Sequence, residues 1–266
     1  MNMLVCVKQV PDTTEIKIDP VTHTLIRAGV PSIVNTFDSY ALEVAVRLKE
    51  KEGGKVTVIS MGPEQAKTAL KECLSVGADE AILLSDRAFG GSDTLATSYV
   101  LATAIKALEK KKGEAFDIIF CGKQAIDGDT AQVGPEIAEH LGYPQITYAA
   151  DVTMEDGVLK AKRESDMGYD IMTTTLPAVI TVVKTAFEPR YPTIRSKMAA
   201  NKVEIPTMTA ADIEIDPNKC GLKGSPTKVK KTFTPVKSKN GIKIQEETSE
   251  AAVAKLIAYL ADAKLI

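Results

Sequence analysis

Short apolar runs alternate with amphipathic stretches through the first half of the chain. "MLVCVKQV" (3–10), "KVTVISM" (55–61), "EAILLSD" (80–86) and "FDIIFCG" (116–122) read as strands, and helical patterns over about 38–51, 63–76, 93–111 and 130–141 separate them. The second helix shows the period plainly: Ala66, Ala69, Leu70 and Cys73 fall at i, i+3, i+4 and i+7, and Gly77 follows where a helix terminates. Fully apolar strands between amphipathic helices predict an α/β fold with a parallel sheet covered on both faces by helices.

After Gly142 the rhythm changes to strand-like pieces, "QITYAADVTM", "GVLKAKRE", "YDIMTTTL" and "AVITVVK". The "EDG" between the first two is a hairpin turn, so antiparallel strands should extend or flank the sheet. From Thr185 on, prolines 189, 192, 206, 217, 226 and 235 predict loops and an extended arm. A last helix, about 249–263, sets Val253, Leu256, Ile257 and Leu260 on one face, to be buried on this chain or on a partner. The pattern thus divides the chain into an α/β domain, 1–185, and a segment of loop, arm and helix, 186–266.

Composition adds exclusions. At 266 residues, with 44% hydrophobic and 26% charged residues, the chain is an ordinary globular one. A net charge of −2 gives no global attraction to nucleic acid, and the locally basic "KVKKTFTPVKSK" (228–239) has no arginine and one aromatic, which suits a solvated arm. Cys6, Cys73, Cys121 and Cys220 are scattered singly, so no zinc site or CxxC pair is spelled out and buried reduced thiols are expected. The start lacks a signal-peptide pattern and no run approaches a membrane helix, which makes the cytoplasm the expected location.

In parallel sheets ligands sit at the carboxyl ends of the strands, and three loops there carry candidate chemistry. The first, "VNTFDSYAL" (34–42), groups Asn35, Asp38 and Ser39, where helix capping by Asp38 or Ser39 would explain one residue of the three. The second, "DRAFGGSDTLATSYV" (86–100), brings Gly90 and Gly91 before Ser92, Asp93, Thr94 and Thr97 at a helix N-terminus, where phosphate binds. Glycine pairs before capped helices are also common punctuation. The third, "FCGKQAIDGDTAQVGPEIAEHLG" (120–142), leaves its strand through Gly122 and should enter a helix at Thr130. Lys123 and Gln124 suit a phosphate, whereas Asp127 and Asp129 would repel one and should accept from ribose hydroxyls or loop amides. A calcium loop is excluded by the register of the remaining ligands.

Absences narrow the reading further. There is no GxGxxG and no GxxxxGK[ST]. Only two histidines exist, His23 in a polar stretch and His140 near a helix C-terminus, where a charged imidazole is structurally favourable. No nucleophile and base pair can be assembled, so the residues suit holding a nucleotide better than transforming one.

At these residues the sequence resembles the beta subunits of electron transfer flavoproteins. "VCVKQVPD", "VNTFDSYALEVAVRLKE", "GKQAIDGDTAQVGP", "LPAVITV" and "EPRYPTIRSKM" carry the similarity over nearly the whole chain, and "GKQAID" followed by D-x-x-Q is its most specific element. Met167 and Gly168 depart from the family pattern in the hairpin region. The resemblance implies an adenine-nucleotide alpha hydrolase-like fold and a heterodimer with a flavin-holding alpha subunit. It also implies exchange of electrons with an acyl-CoA dehydrogenase.

Two branches of the family exist. In one, the beta subunit keeps a structural AMP; in the other it binds FAD, takes hydride from NADH and bifurcates the electrons, one branch leading to ferredoxin or flavodoxin. The AMP branch resembles N-P-F-C where this chain has Asn35, Thr36, Phe37 and Asp38, and it lacks the "GGSDT" entry, which favours FAD here. The resemblance implies that Cys6, Asn35, Phe37, Asp38 and Met61 line the cofactor site. Gly90, Gly91, Asp93, Thr94 and Thr97 would join them, with Gly122, Lys123, Gln124, Ile126, Asp127, Gly128, Asp129, Thr130, Ala131, Gln132 and Val133 from the signature loop. Phe37 and Tyr40 are the nearest aromatics for a flavin ring. The partner-docking loop would carry Pro189, Arg190, Tyr191 and the apolar anchor Ile194. Two rivals stand beside this reading. "FGGSDT" approaches the SGGxDS loop of ATP pyrophosphatases but follows the third strand, with Phe89 in place of serine; a nucleotide-binding stress-type module would share the loop residues without redox chemistry.

Overall fold

The computed structural model describes residues 1–12, 31–230 and 241–266. His23, Pro235 and most of the basic stretch at 228–239 lie outside the described residues. The strands in chain order are β1 (Asn2–Cys6), β2 (Gln9–Pro11), β3 (Ser32–Val34), β4 (Lys55–Met61), β5 (Glu80–Leu84), β6 (Ile118–Gly122), β7 (Gln145–Glu155), β8 (Val158–Ser165), β9 (Gly168–Thr174), β10 (Ala178–Val182) and β11 (Thr207–Met208). The helices are α1 (Thr36–Glu52), α2 (Lys67–Ser75), α3 (Thr94–Lys112), α4 (Val133–Leu141), α5 (Ile194–Lys202), α6 (Gly221–Gly224) and α7 (Ser249–Asp262). Residues 1–230 form one compact unit and 231–266 a second.

A nine-stranded sheet runs in the order β11-β5-β4-β1-β6-β10-β7-β8-β9. Every pair from β11 to β7 is parallel, and β7-β8-β9 is an antiparallel extension. The apolar runs explain the parallel part, because both faces are covered. Met3, Val5, Val58 and Phe120 pack under α1 and α2, while Leu4, Cys6, Ile59, Ile119 and Cys121 pack under α3 and α4. The chain leaves β1 toward β4 on one side and returns to β6 on the other, so the switch point of the sheet lies between β1 and β6. The "EDG" turn joins β7 to β8 with Asp156 and Gly157 both at positive φ, 50° and 78°, as a two-residue hairpin requires.

Two elements differ from the sequence pattern. The fourth helix begins at Val133 and not at Thr130, because Asp129 and Ala131 adopt left-handed φ of 55° and 53°, which a right-handed helix cannot contain. Within the proline-rich stretch expected to be irregular, α5 forms from Ile194, started by a reciprocal capping box between Thr193 and Ser196. It packs against α2, and β11 then adds to β5 at the sheet edge. Among the described residues no helix is long and apolar enough to cross a membrane.

Arg190 fastens the approach to α5. Its guanidinium donates to Glu43 (2.8 Å and 3.1 Å) and Glu50 (2.5 Å and 3.0 Å), both on α1. Glu43 is buried, and although burial works against its ionisation, Arg190 and Arg47 hold its carboxyl below the ordinary range. Arg47 also lies over the Phe187 ring at 3.9 Å, so the segment before α5 is locked to α1 by charge and packing together.

The fully buried Ile119 sits between Leu4 of β1 and Val179 of β10. Ile119→Ala should cost about 2–5 kcal/mol in thermal or urea unfolding; a loss under about 1 kcal/mol would mean the central strands are not packed as described.

Candidate functional site

A cavity of about 580 Å³ opens above the carboxyl ends of β1 and β6, at the switch point. That volume lies within the range of small-molecule and cofactor sites, about 300–1,000 Å³. Its architecture depends on two buried polar side chains at the start of α1. Asn35 donates from Nδ2 to the Gln124 carbonyl (2.8 Å) and accepts at Oδ1 from the Ile126 N–H (3.0 Å). Asp38 accepts from the Lys8 N–H (2.7 Å) and the Gly122 N–H (3.2 Å). These four bonds tie the loops that follow β1 and β6 to the first turn of α1. The capping role expected for Asp38 or Ser39 is therefore corrected: Asn35 occupies the cap position, and Asp38 is spent on the two neighbouring loops.

Gly122 is what permits this closeness. A Cβ there would lie 2.3 Å from Asp38 Oδ1 and 2.7 Å from the backbone of Phe37 and Asp38, so no side chain fits. Burial pushes the Asp38 carboxyl up to about 7, outweighing the hydrogen bonds from Asn35, Lys8 and Gly122 that favour its charged form.

The two helix N-termini facing the cavity differ. Asp93 caps α3, its carboxylate accepting from Ala96 N–H (3.0 Å) and from Thr227 N–H (2.9 Å). Burial opposes its ionisation, yet these amides hold it below the ordinary carboxylate range. Ser92 is likewise engaged, accepting from Gly221 N–H at 3.0 Å. The α4 terminus has Gln132 at its cap position with no side-chain cap, so its first-turn N–H groups remain open to the cavity that Val133 and Gly134 line. Thr94 links the two helices, its single hydroxyl proton shared between Gln132 Oε1 (3.1 Å) and Glu136 Oε1 (3.2 Å).

Most residues named from the sequence meet at this cavity. Cys6, Asn35, Asp38 and Met61 line it from the first strands and α1, and Gly91, Asp93, Thr94 and Thr97 from the entry to α3. Gly122, Lys123, Gln124, Asp127, Gly128, Thr130, Ala131, Gln132 and Val133 line it from the signature loop. Phe37, Gly90, Ile126 and Asp129 do not line it. Phe37 is turned aside because the helical rotation that aims Asp38 at Gly122 aims its neighbour elsewhere. Ile126 instead lends its backbone to Asn35, and Asp129 accepts from Gln124 Nε2. Tyr40 lies in the core on the α1 face, its hydroxyl donating to Glu188 at 2.6 Å.

The structure adds residues that the sequence reading passed over. Lys8 lines the cavity and pairs with Asp127 at 2.6 Å, so Asp127 faces a lysine and not an amide. The lysine that interrupts the apolar run at the end of the first strand was the available signal. Lys123 makes no ion pair among the described residues and lies over Tyr148 at 5.1 Å. The aromatic wall is Phe89, buried beside Leu101. In the segment leading into α5, Tyr191 and Ile194 are 91% and 84% exposed, whereas Arg190 is the structural anchor described above.

Because the Asp38 carboxyl is raised from 3.8 to about 7, the stability it contributes is present below pH 3.8 and lost as pH rises through about 7. Relative to Asp38→Asn, the natural chain should therefore lose melting temperature across this window; parallel pH profiles would contradict the assignment.

Comparison with known proteins bears on the whole chain. The model of the family "Electron transfer flavoprotein domain" matches residues 22–213. The chain is 54% identical to the electron transfer flavoprotein subunit beta of Megasphaera elsdenii over 270 residues, covering all of both chains. It is 56% identical to that of Thermoanaerobacterium thermosaccharolyticum over 88% of each. It is also 46% identical, over the full length of both, to the caffeyl-CoA reductase-Etf complex subunit CarD of Acetobacterium woodii. With the signature loop wrapped around a cavity at the switch point of its α/β sheet, this chain belongs to the electron transfer flavoprotein family, as a beta subunit.

Proposed function

We propose that this beta subunit holds FAD in the cavity, accepts hydride from NADH and bifurcates the electrons. One electron passes to the flavin of an alpha subunit and on to an acyl-CoA dehydrogenase, the other to ferredoxin or flavodoxin. The observation that carries the reading is the cavity of about 580 Å³ with an uncapped helix N-terminus on one side and an apolar wall on the other. The open N–H groups of α4 and the Lys123 ammonium suit a pyrophosphate. Phe89, Leu101 and Met61 suit a planar ring. Bound flavin supplies the hydride and single-electron chemistry; the chain's residues bind it, orient it and exclude water. That a CarD protein is named for a CoA-thioester reductase complex supports an acyl-CoA oxidoreductase as partner.

Structural AMP is the second reading, and one observation favours it. Asp93 closes the α3 terminus with a carboxylate, leaving one open helix N-terminus, which suits a single phosphate group equally well.

Docking is assigned to Pro189, Arg190, Tyr191 and Ile194. Arg190 holds the segment to α1, and the exposed Tyr191 and Ile194 offer a small apolar contact of the kind that short-lived electron-transfer encounters use.

Purified with its alpha subunit, the complex should release two flavins and no AMP on acid treatment; one flavin with AMP would overturn the FAD reading and leave the family unaffected. Thr94→Ala should lower FAD affinity roughly tenfold through lost ordering of Gln132 and Glu136, read by fluorescence titration, with unchanged affinity counting against that wall of the site. Ile194→Ala should slow electron delivery to the dehydrogenase at least about tenfold without changing flavin content; equal delivery would remove Ile194 from the docking contact.

A further inference from the structure

Cys6 and Cys121 occupy directly paired positions on the parallel neighbours β1 and β6. Adjacent strands lie about 4.7–4.9 Å apart, which places the two Cα atoms inside the window of about 4.4–6.8 Å that a disulfide spans. Both side chains leave the sheet on the face packed by α3 and α4. Both line the floor of the cavity, with 8% and 5% of their surfaces exposed. Cys73 is buried under α2 on the opposite face, and Cys220 packs just before α6. Two of the four free thiols are thus matched in register, on one face of the sheet and at the lining of the same cavity.

We propose that Cys6 and Cys121 form an oxidisable dithiol that a peroxide closes to an intrachain disulfide when the cavity holds no nucleotide. The Cys6 sulfur attacks one peroxide oxygen, the S–O bond forms as the O–O bond breaks, and the departing hydroxide takes the thiol proton as water. The Cys121 sulfur then attacks the sulfenic sulfur, forming the S–S bond and releasing a second water with its own proton. Two thiols lose two electrons and two protons, and the peroxide is reduced to two waters. The neighbouring Cys121 thiol and burial keep the Cys6 thiol well above its ordinary pKa, so thiolate is scarce at neutral pH and closure quickens as pH rises. A nucleotide seated in the cavity covers the pair. That shielding rests on the nucleotide reading of the cavity, whereas the disulfide itself does not.

The test uses the full chain stripped of nucleotide and treated with hydrogen peroxide over a series of pH values. Alkylation, intact mass and peptide mapping follow. The expected product has lost the mass of two hydrogens, keeps two alkylatable thiols and yields one cross-linked peptide joining Cys6 to Cys121. Cys6→Ser should abolish that peptide and Cys73→Ser should leave it. With FAD or AMP present at about 100 times its Kd, closure should slow about 100-fold. Oxidation without the Cys6–Cys121 peptide at every pH would overturn the dithiol. Formation of the peptide at the same rate with and without nucleotide would overturn the shielding and count against a nucleotide in this cavity, with the dithiol standing.

Discussion

A buried amide and a buried carboxyl at the start of α1 hold the loops after β1 and β6 in place. Asn35 and Asp38 make four hydrogen bonds to main-chain groups of Lys8, Gly122, Gln124 and Ile126. In a parallel sheet the strand-end loops are separate in sequence, and nothing in the ladder fixes where they go once the strands end. These two side chains supply that constraint at the switch point, where a cavity is wanted. They also demand the absence of a side chain at Gly122, and beyond them the signature loop turns through left-handed residues before α4 begins without a side-chain cap. Leaving either Asn35 or Asp38 unpaired would strand a buried polar group, which is costly, so the arrangement is held all at once or not at all.

The same helix also anchors the segment ahead of α5. The first turn of α1 holds the cavity loops, while Glu43, Arg47 and Glu50 further along hold Phe187 and Arg190 ahead of α5. The cavity and the exposed segment proposed for docking are therefore mounted on one rigid element. On the proposed reading an electron carrier gains from this, since the distance from a buried redox group to a transient partner must be reproducible while the docking contact itself stays small.

Much of the fold was legible in the sequence because the relevant signals are local. Four apolar runs and four amphipathic stretches gave the parallel sheet with helices on both faces, and "EDG" marked the hairpin between β7 and β8. What escaped were features decided by tertiary contact. The helix α5 sits among prolines that favour irregular backbone, and is secured by its capping box and by packing on α2. The loops rich in glycine, hydroxyls and amides did converge on the cavity. The roles within them were less readable: Asp93 looked like a ligand group and is a helix cap that also holds Thr227. Phe37 and Tyr40 stood out by proximity in sequence, but the wall is Phe89. Lys8 and Arg190 act through partners about 119 and 140 positions away, a separation that no local pattern reports.

The Asn35 and Asp38 bonds shape the cavity proposed to hold a nucleotide. Asn35→Ala tests this most directly, because the Asn35 side chain is bonded to the loop backbone at Gln124 and Ile126. FAD affinity of this variant, measured by fluorescence titration alongside circular dichroism to confirm folding, should fall at least about tenfold. A folded Asn35→Ala chain that binds FAD as tightly as the natural one would contradict the account.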